Sequence, residues 1–140
     1  MQSKNIIISG ATDGIGLAAA KSIAAKGYHV CLIGRNPDKG KKAIDEIVSF
    51  SKNENLDFLE CDLSLIKNVK NLSNQIKEKY SKIDVLLNNA GGANKKKIIT
   101  SEGLEKTFAT NQMNYFVLST ELLDIICLLY TSDAADDDAC

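Results

Sequence analysis

The stretch KNIIISGATDGIGLAAAKSIAAKG, residues 4–27, decides how this chain of 140 residues folds. Residues 4–9 carry a continuous run of isoleucines, as is typical of a strand buried on both faces. A glycine-rich segment follows at residues 10–16, and the alanine-rich segment 17–26 then favours a helix that ends at Gly27. A strand, a glycine turn and a helix in immediate succession predict the first part of a β-α-β unit.

The rest of the chain continues this alternation. Apolar segments predict three more strands, at residues 28–33, 56–61 and 83–87. Helical spacing of apolar residues predicts three more helices, at residues 37–50, 64–80 and 101–126. We therefore expect an α/β fold, a Rossmann-like, doubly wound parallel sheet with helices on both faces. No linker divides residues 1–126, which we expect to form one domain.

Composition excludes several classes of function. Lys and Arg number 17 and Asp and Glu number 18, so the net charge of −1 argues against bulk attraction to nucleic acid or an anionic membrane. No apolar run reaches the roughly 18 residues of a membrane span. The single histidine and four scattered cysteines predict no metal site. Without an export signal, reduced thiols are typical of a cytoplasmic protein.

Residues 127–140 do not share the pattern of the rest of the chain. Residues 131–140 hold four aspartates, three alanines and no lysine, with no hydrophobic period. A disordered acidic tail is one interpretation. Because the segment CLLYTSDAADDDAC resembles translated adapter sequence, we favour the interpretation that this tail is not native.

The glycine turn has the context of a dinucleotide-binding loop. Gly10 permits a tight turn, Gly14 lets the backbone approach a pyrophosphate, and Gly16 allows close packing of helix and strand. The N–H groups at the start of the helix then favour phosphate. We predict cofactor contacts from this loop and the helix that follows it, at Gly10, Thr12, Asp13, Gly14, Ile15 and Gly16. The alternative is a glycine turn that binds nothing.

The spacing Gly-x-x-x-Gly-x-Gly after Ser9, with Asn88-Asn89-Ala90-Gly91 behind the fourth strand, resembles the short-chain dehydrogenase/reductase family. Asp62-Leu63 after the third strand and Asn111 in the segment 103–116 match further motifs. Ser9 departs from the threonine of the family fingerprint. The resemblance covers residues 4–126 and identifies the chain as the N-terminal part of such a protein. It implies the strand order 3-2-1-4 and hydride transfer between a nicotinamide cofactor and a small carbonyl or alcohol substrate, in a full-length homo-oligomer.

Arg35 and Asn36, directly after the second strand, stand where the cofactor is selected. A carboxylate there accepts from the ribose hydroxyls of NAD, whereas an arginine accommodates the 2′-phosphate of NADP. We therefore predict that NADP(H) is preferred and that NAD(H) is possible; a solvated surface arginine is the alternative. Lys39 is either a second phosphate contact or a solvent-facing residue.

The remaining predicted contacts lie behind the third and fourth strands. Asp62 and Leu63 would meet adenine, although Asp62 could instead cap the next helix. Asn89, Ala90 and Gly91 would lie against the ribose, because small residues permit close approach. For Asn88 we expect a structural role, a side-chain bond to the neighbouring strand.

The resemblance implies a catalytic tyrosine, with a lysine four residues later, and a serine; none of the four tyrosines here has lysine at that spacing. Asn111 is the only catalytic position that matches, and a buried helix asparagine is its alternative. We expect this chain alone to be inactive, and to aggregate through a long apolar edge at residues 83–87. A non-catalytic dinucleotide-binding or sensor module and a purely structural domain are the competing hypotheses.

Three further features have ordinary explanations. Lys95, Lys96 and Lys97 are expected to be solvated. His29 has no partner at catalytic spacing. The apolar stripe within residues 115–123 is expected to be helical core or, as the resemblance implies, a dimerisation face.

Overall fold

A computed structural model describes residues 3–126 and shows a four-stranded parallel sheet with the order β3-β2-β1-β4. The strands are β1 (Asn5–Ser9), β2 (His29–Gly34), β3 (Leu56–Glu60) and β4 (Val85–Leu87). All three pairings are parallel, and β1 lies in the middle, between β2 and β4. Both the α/β class and the strand order predicted from the sequence are confirmed.

Helices connect the strands, and further helical segments follow the last strand along the chain. They are α1 (Gly14–Ala24), α2 (Pro37–Ser51), α3 (Ile66–Lys79), α4 (Lys106–Phe108), a π-helical turn (Ala109–Met113) and α5 (Asn114–Glu121). Pro37 occupies the first helical position of α2, where its missing N–H costs nothing. The α1 helix begins three residues earlier than predicted, so Gly14 and Gly16 lie in its first turn.

Each face of the sheet has its own core. Ile6 and Ile8 of β1 pack with α1 and α2 on one face, whereas Ile7 packs with α3 and α5 on the other. This division follows from the alternation of side chains along a strand. Ile7 and Ile8 are fully buried, and each such side chain contributes about 1.5–3 kcal/mol. The continuous isoleucine run is therefore required on both sides of the sheet.

The last predicted helix, residues 101–126, is shorter than expected at both ends. It begins at Lys106, because the Glu105 carboxylate caps it by accepting from the N–H groups of Thr107 and Phe108. Before it, Gly103 has a φ of +80° and helps to form a turn. The helical run ends at Glu121, and Ile126 already pairs with Ile83 in a parallel bridge.

The β4 edge is not long, contrary to the prediction. The strand has only three residues, Val85–Leu87, and Ile83 before it donates its N–H to the Ile125 carbonyl at 2.9 Å. Short edge strands limit association, so the expected aggregation stays a prediction without this support. The predicted tail, residues 127–140, lies outside the described residues, and the predicted domain boundary at residue 126 is untested. Within residues 3–126, no helix has the length and apolar character needed to cross a membrane.

Candidate nucleotide-binding site

A cleft of about 740 Å³ opens at the carboxyl ends of the strands. In an open parallel sheet this edge is where ligands bind. Every cofactor-binding residue predicted from the sequence except Gly16 lines the cleft. These residues are Gly10, Thr12, Asp13, Gly14, Ile15, Arg35, Asn36, Asp62, Leu63, Asn89, Ala90 and Gly91. Residues from the ends of all four strands therefore meet in one place.

Two glycines shape the floor of the cleft. Gly10 has a φ of +65°, and a Cβ there would lie 2.7 Å from the Cα of Ala90. At Gly16 a Cβ would lie 2.2 Å from the Gly10 carbonyl oxygen and 2.6 Å from Asn89 Nδ2. Gly16 thus lies beneath the cleft and packs against the turn itself, rather than against a strand. Any larger side chain at either position would push the β1 and β4 loops apart.

Ser9 joins these two loops, a role that no local sequence pattern indicated. Its buried Oγ accepts from the N–H groups of Asn89 and Ala90, each at 3.0 Å, while Asn89 Nδ2 donates to the Gly10 carbonyl. A threonine would supply the same hydroxyl, which explains why serine is tolerated there. Asn88 makes a structural side-chain bond, as expected, but the partner belongs to a helix and not to a strand: Asn88 Nδ2 donates to Ser119 Oγ of α5.

The start of α1 presents free hydrogen-bond donors to the cleft. Among the described residues, no acceptor is found for the N–H groups of Gly14, Ile15 and Gly16, whereas Leu17 already donates to the Asp13 carbonyl. Such unpartnered N–H groups, together with the helix dipole, attract an anion. Ile15 leaves 81% of its surface exposed at this rim, so an apolar face adjoins the donors.

Positive charge lies on the β2 side of the cleft. Arg35 is exposed there, and Asn36 caps α2 by accepting from the Lys39 N–H at 3.0 Å. The Lys39 ammonium lies 3.3 Å from Asp13 Oδ2. Lys39 therefore faces the glycine loop, and among the described residues it is neither isolated in solvent nor free of a counter-charge.

Asp62 and Leu63 form the β3 side of the cleft. Asp62 Oδ1 accepts from the N–H and the hydroxyl of Ser64. Partial burial raises the pKa of the Asp62 carboxyl, but these bonds and the charges of Lys106 and Arg35 outweigh it, so the pKa lies below its ordinary value. The carboxylate is therefore ionised at neutral pH and can accept a further hydrogen bond.

The alternative role for Asp62, a cap on α3, is wrong. The first two N–H groups of α3, those of Ile66 and Lys67, donate to the carboxylate of Glu102 instead. Glu102 lies in the turn before α4, so it anchors the loop that borders the cleft to the start of α3. Because the contact is separated by more than 30 residues in the sequence, no local pattern indicated it.

Asn111 lies behind the cleft wall, where its amide pairs twice with the backbone of Gly92. Its Oδ1 accepts from the Gly92 N–H at 3.0 Å, and its Nδ2 donates to the Gly92 carbonyl at 2.9 Å. Asn111 is exposed, so it is not the buried helix asparagine considered as the alternative; Asn114 is. The residue lies within the π-helical turn, a feature often found at functional sites.

Several cleft residues were not predicted. These are Gly34, Cys61, Ser64, Gly92, Ala93, Asn94, Lys106 and Thr110; Lys39, which the sequence offered as a phosphate contact or a solvent-facing residue, also lines the cleft. Glycine is required at position 34, because a Cβ there would lie 2.7 Å from Thr12 Cγ2. Burial raises the pKa of the Cys61 thiol to about 12, so it is a neutral wall residue. For Gly34 and Cys61, their place at the strand ends was the signal that could have found them.

The lysine run, His29 and the apolar stripe within residues 115–123 all lie outside the cleft lining. Lys95, Lys96 and Lys97 are exposed, as expected. His29 does have a partner: its Nε2 lies 2.8 Å from Asp57 Oδ2, at the opposite end of the sheet. The apolar stripe divides, since Leu118 and Leu122 are buried whereas Phe116 and Leu123 are exposed. Within the described residues, no group of His, Cys, Asp or Glu has a metal-binding arrangement.

A glycine turn on an open helix start, at the carboxyl edge of a parallel sheet, is typical of nucleotide-binding α/β domains. The short chain dehydrogenase family model matches residues 4–131, and the chain belongs to that family. It is 35% identical over 120 residues to human polyprenol dehydrogenase. The matched region covers 86% of this chain and 36% of that protein. The chain thus spans about a third of this curated relative.

Two solved structures share the fold. The alcohol dehydrogenase from the archaeon Thermococcus sibiricus, complexed with 5-hydroxy-NADP, has a TM-score of 0.74 and 26% identity, covering 89% of this chain and 53% of that one. A metagenomic short-chain oxidoreductase in complex with NADP has a TM-score of 0.73 and 25% identity, covering 84% of this chain and 54% of that one.

Proposed function

We propose that this chain is the cofactor-binding part of an NADP(H)-dependent oxidoreductase that acts on a small carbonyl or alcohol. The single observation that carries the proposal is the open start of α1, where Gly14, Ile15 and Gly16 offer N–H groups that have no acceptor within residues 3–126, beside Arg35. The loops fit a dinucleotide, because a Cβ at Gly14 or Gly92 would meet nothing within 4 Å, so glycine at these two lining positions leaves the backbone accessible. When bound, the cofactor would supply or accept the hydride.

Each part of the cleft has a role in holding that cofactor. The N–H groups of α1 would bind the pyrophosphate, and the Arg35 guanidinium would meet the 2′-phosphate through paired hydrogen bonds. Asp62 and the Leu63 backbone would meet the adenine, and the small residues Ala90 and Gly91 would admit the ribose. Asn111 would fix the Gly92 backbone and, as the family resemblance implies, hold a water of the proton relay.

The NADP(H) preference is supported by charge at the second strand end. Arg35 and Lys39 line the cleft beside Asn36, and no carboxylate occupies the strand end itself. The two similar structures contain NADP or its 5-hydroxy derivative. The cytoplasmic location, the homo-oligomer and the inactivity of this chain alone remain predictions from the sequence.

Titration of the 140-residue chain with NADPH and NADH tests the proposal. The chain is expected to bind both nucleotides and to prefer NADPH. Arg35→Met should weaken NADPH binding about 10- to 100-fold and leave NADH binding within about twofold, since a charge-assisted pair contributes about 1.5–3 kcal/mol. Lys42→Met on the exposed side of α2 is the matched control. Equal losses for both nucleotides would show that Arg35 does not select the cofactor.

The competing hypothesis, a binding or sensor module without catalysis, shares this cleft. The two hypotheses differ in whether a reaction occurs. If the full-length protein that contains these residues is an enzyme, it should oxidise NADPH in the presence of a carbonyl. Tight NADPH binding with no turnover over a broad carbonyl and alcohol panel would favour the module.

A further inference from the structure

Asp13 stands at the N-cap of α1 but does not cap it. An aspartate in this position ordinarily accepts a hydrogen bond from one of the first N–H groups of the helix. Here the Asp13 side chain makes no such bond, although its backbone is extended, with φ −156° and ψ 177°. Its Oδ2 instead lies 3.3 Å from the Lys39 ammonium at the start of α2.

The consequence is a helix start whose donors stay open. The N–H groups of Ile15 and Gly16, the two that a capping carboxylate would engage, have no acceptor within residues 3–126. A carboxylate placed there would occupy the position that favours phosphate, since both anions use the same donors and the same helix dipole. The cap and the pyrophosphate are therefore mutually exclusive.

The position of Lys39 can determine whether Asp13 or a pyrophosphate occupies the start of α1. Its backbone N–H donates to Asn36 Oδ1 at 3.0 Å, which fixes the first turn of α2, the turn from which the Lys39 side chain reaches the glycine loop. Its side chain and that of Asp13 both line the cleft and are 59% and 73% exposed. An exposed pair of this kind adds little stability, so its effect lies in where it holds the carboxylate.

We infer that Lys39 is a positioning residue, which draws Asp13 away from the start of α1 and neutralises it so that a dinucleotide pyrophosphate can bind. The inference rests on the proposed function and deepens it. It also differs from a direct contact with the 2′-phosphate, because Lys39 then supports binding of NADH and NADPH alike.

Four variants of the 140-residue chain test the inference with NADH, which has no 2′-phosphate. Lys39→Met is expected to weaken NADH binding about tenfold, because the released Asp13 competes with the pyrophosphate. Asp13→Ala removes the competing carboxylate and is the reference against which the double variant is compared. The double variant K39M/D13A should return to within about twofold of D13A, and Lys39→Arg should behave as the unsubstituted chain.

A nucleotide-free measurement supplies an independent readout. In Lys39→Met, amide hydrogen exchange at Ile15 and Gly16 should slow, since the Asp13 carboxylate now accepts from those groups. Unchanged NADH affinity and unchanged exchange in Lys39→Met would overturn the inference, as would a double variant that binds as weakly as K39M. If the unsubstituted chain binds neither nucleotide, the proposed function fails and the inference with it; if it binds NADH and only the Lys39 effects are missing, the inference alone fails.

Discussion

At the carboxyl end of the sheet, the first three N–H groups of α1 have no acceptors in the described chain and adjoin an open cleft, whereas at the amino end polar side chains bond to one another. There, Asp57 Oδ2 accepts from the Tyr80 hydroxyl and lies 2.8 Å from His29 Nε2, while Asp57 Oδ1 lies 3.1 Å from the Lys79 ammonium. Only His29 Nδ1 of this amino-end cluster is buried without a partner among the described residues.

The comparison distinguishes open donors, to which we assign the binding of the pyrophosphate, from paired polar groups that stabilise the fold. Buried polar groups are normally paired inside the protein, as they are around Asp57. Donors that remain open at a helix start, beside backbone kept accessible by glycine, are instead available to bind an anion. Substitutions at the two ends should therefore affect nucleotide affinity and stability in different proportions.

The largest effect is expected at Gly16. In Gly16→Ala the new Cβ would lie 2.2 Å from the Gly10 carbonyl oxygen, so the glycine turn must shift. We expect nucleotide affinity to fall more than about 100-fold and the free energy of unfolding to fall by more than about 2 kcal/mol. Calorimetric titration and denaturant unfolding measure the two quantities.

Gly27→Ala is the matched control for that prediction. Gly27 has a φ of +82° but open space where a Cβ would be, and it lies away from the cleft. The strain should lower stability by about 1–2 kcal/mol without weakening nucleotide binding. Equal affinity losses in the two glycine variants would mean that general destabilisation, rather than the turn, controls binding.

A smaller effect on affinity is expected at Ser9. Ser9→Ala removes the acceptor of two N–H groups, those of Asn89 and Ala90, and should lower the free energy of unfolding by about 2–3 kcal/mol. Nucleotide affinity should fall about tenfold, because the β1 and β4 loops lose their link. Ser9→Thr keeps the hydroxyl and suits a strand, so it should lose less than about 1 kcal/mol. Identical losses in both variants would show that volume, not the hydroxyl, matters.

The sequence predicted what local patterns can specify. The isoleucine run, the glycine spacing and Pro37 each act within a few residues, and the strands, the turn and the start of α2 were found from them. The helix start at Lys106 was not found, because Glu105 ends the preceding turn by capping, and the apolar pattern continues across it. Element ends are set by such single contacts.

Contacts between segments that are distant in the chain could not be predicted from the sequence. Glu102 reaches the start of α3, and Asn111 pairs with Gly92 across 19 residues. The family motifs placed Asn111 at the site, but its partner and its exposure needed the fold. Likewise, the Asp13–Lys39 pair depends on how α1 and α2 approach each other, which no periodicity encodes.

The smallest effect, confined to stability, is expected at the amino-end cluster. Partial burial raises the pKa of Asp57, but hydrogen bonds from Tyr80 and Lys79 and the charge of His29 outweigh it, so its pKa in the folded protein lies below the ordinary value of 3.8. The ionised carboxylate therefore stabilises the fold fully above pH 3.8, and this contribution disappears as the pH falls through the folded-state pKa. Asp57→Asn should lower the free energy of unfolding by about 1–2 kcal/mol at pH 7 and leave nucleotide affinity unchanged.

Acid unfolding checks the sign of that prediction. The stability difference between the unsubstituted chain and Asp57→Asn should be constant from neutral pH down to about 4 and should shrink below it. Asp45→Asn, at an exposed position of α2, should show no such difference. A difference that grows towards acid pH would mean that Asp57 is strained when ionised. A loss of nucleotide affinity in Asp57→Asn would mean that the two ends of the sheet are coupled rather than independent.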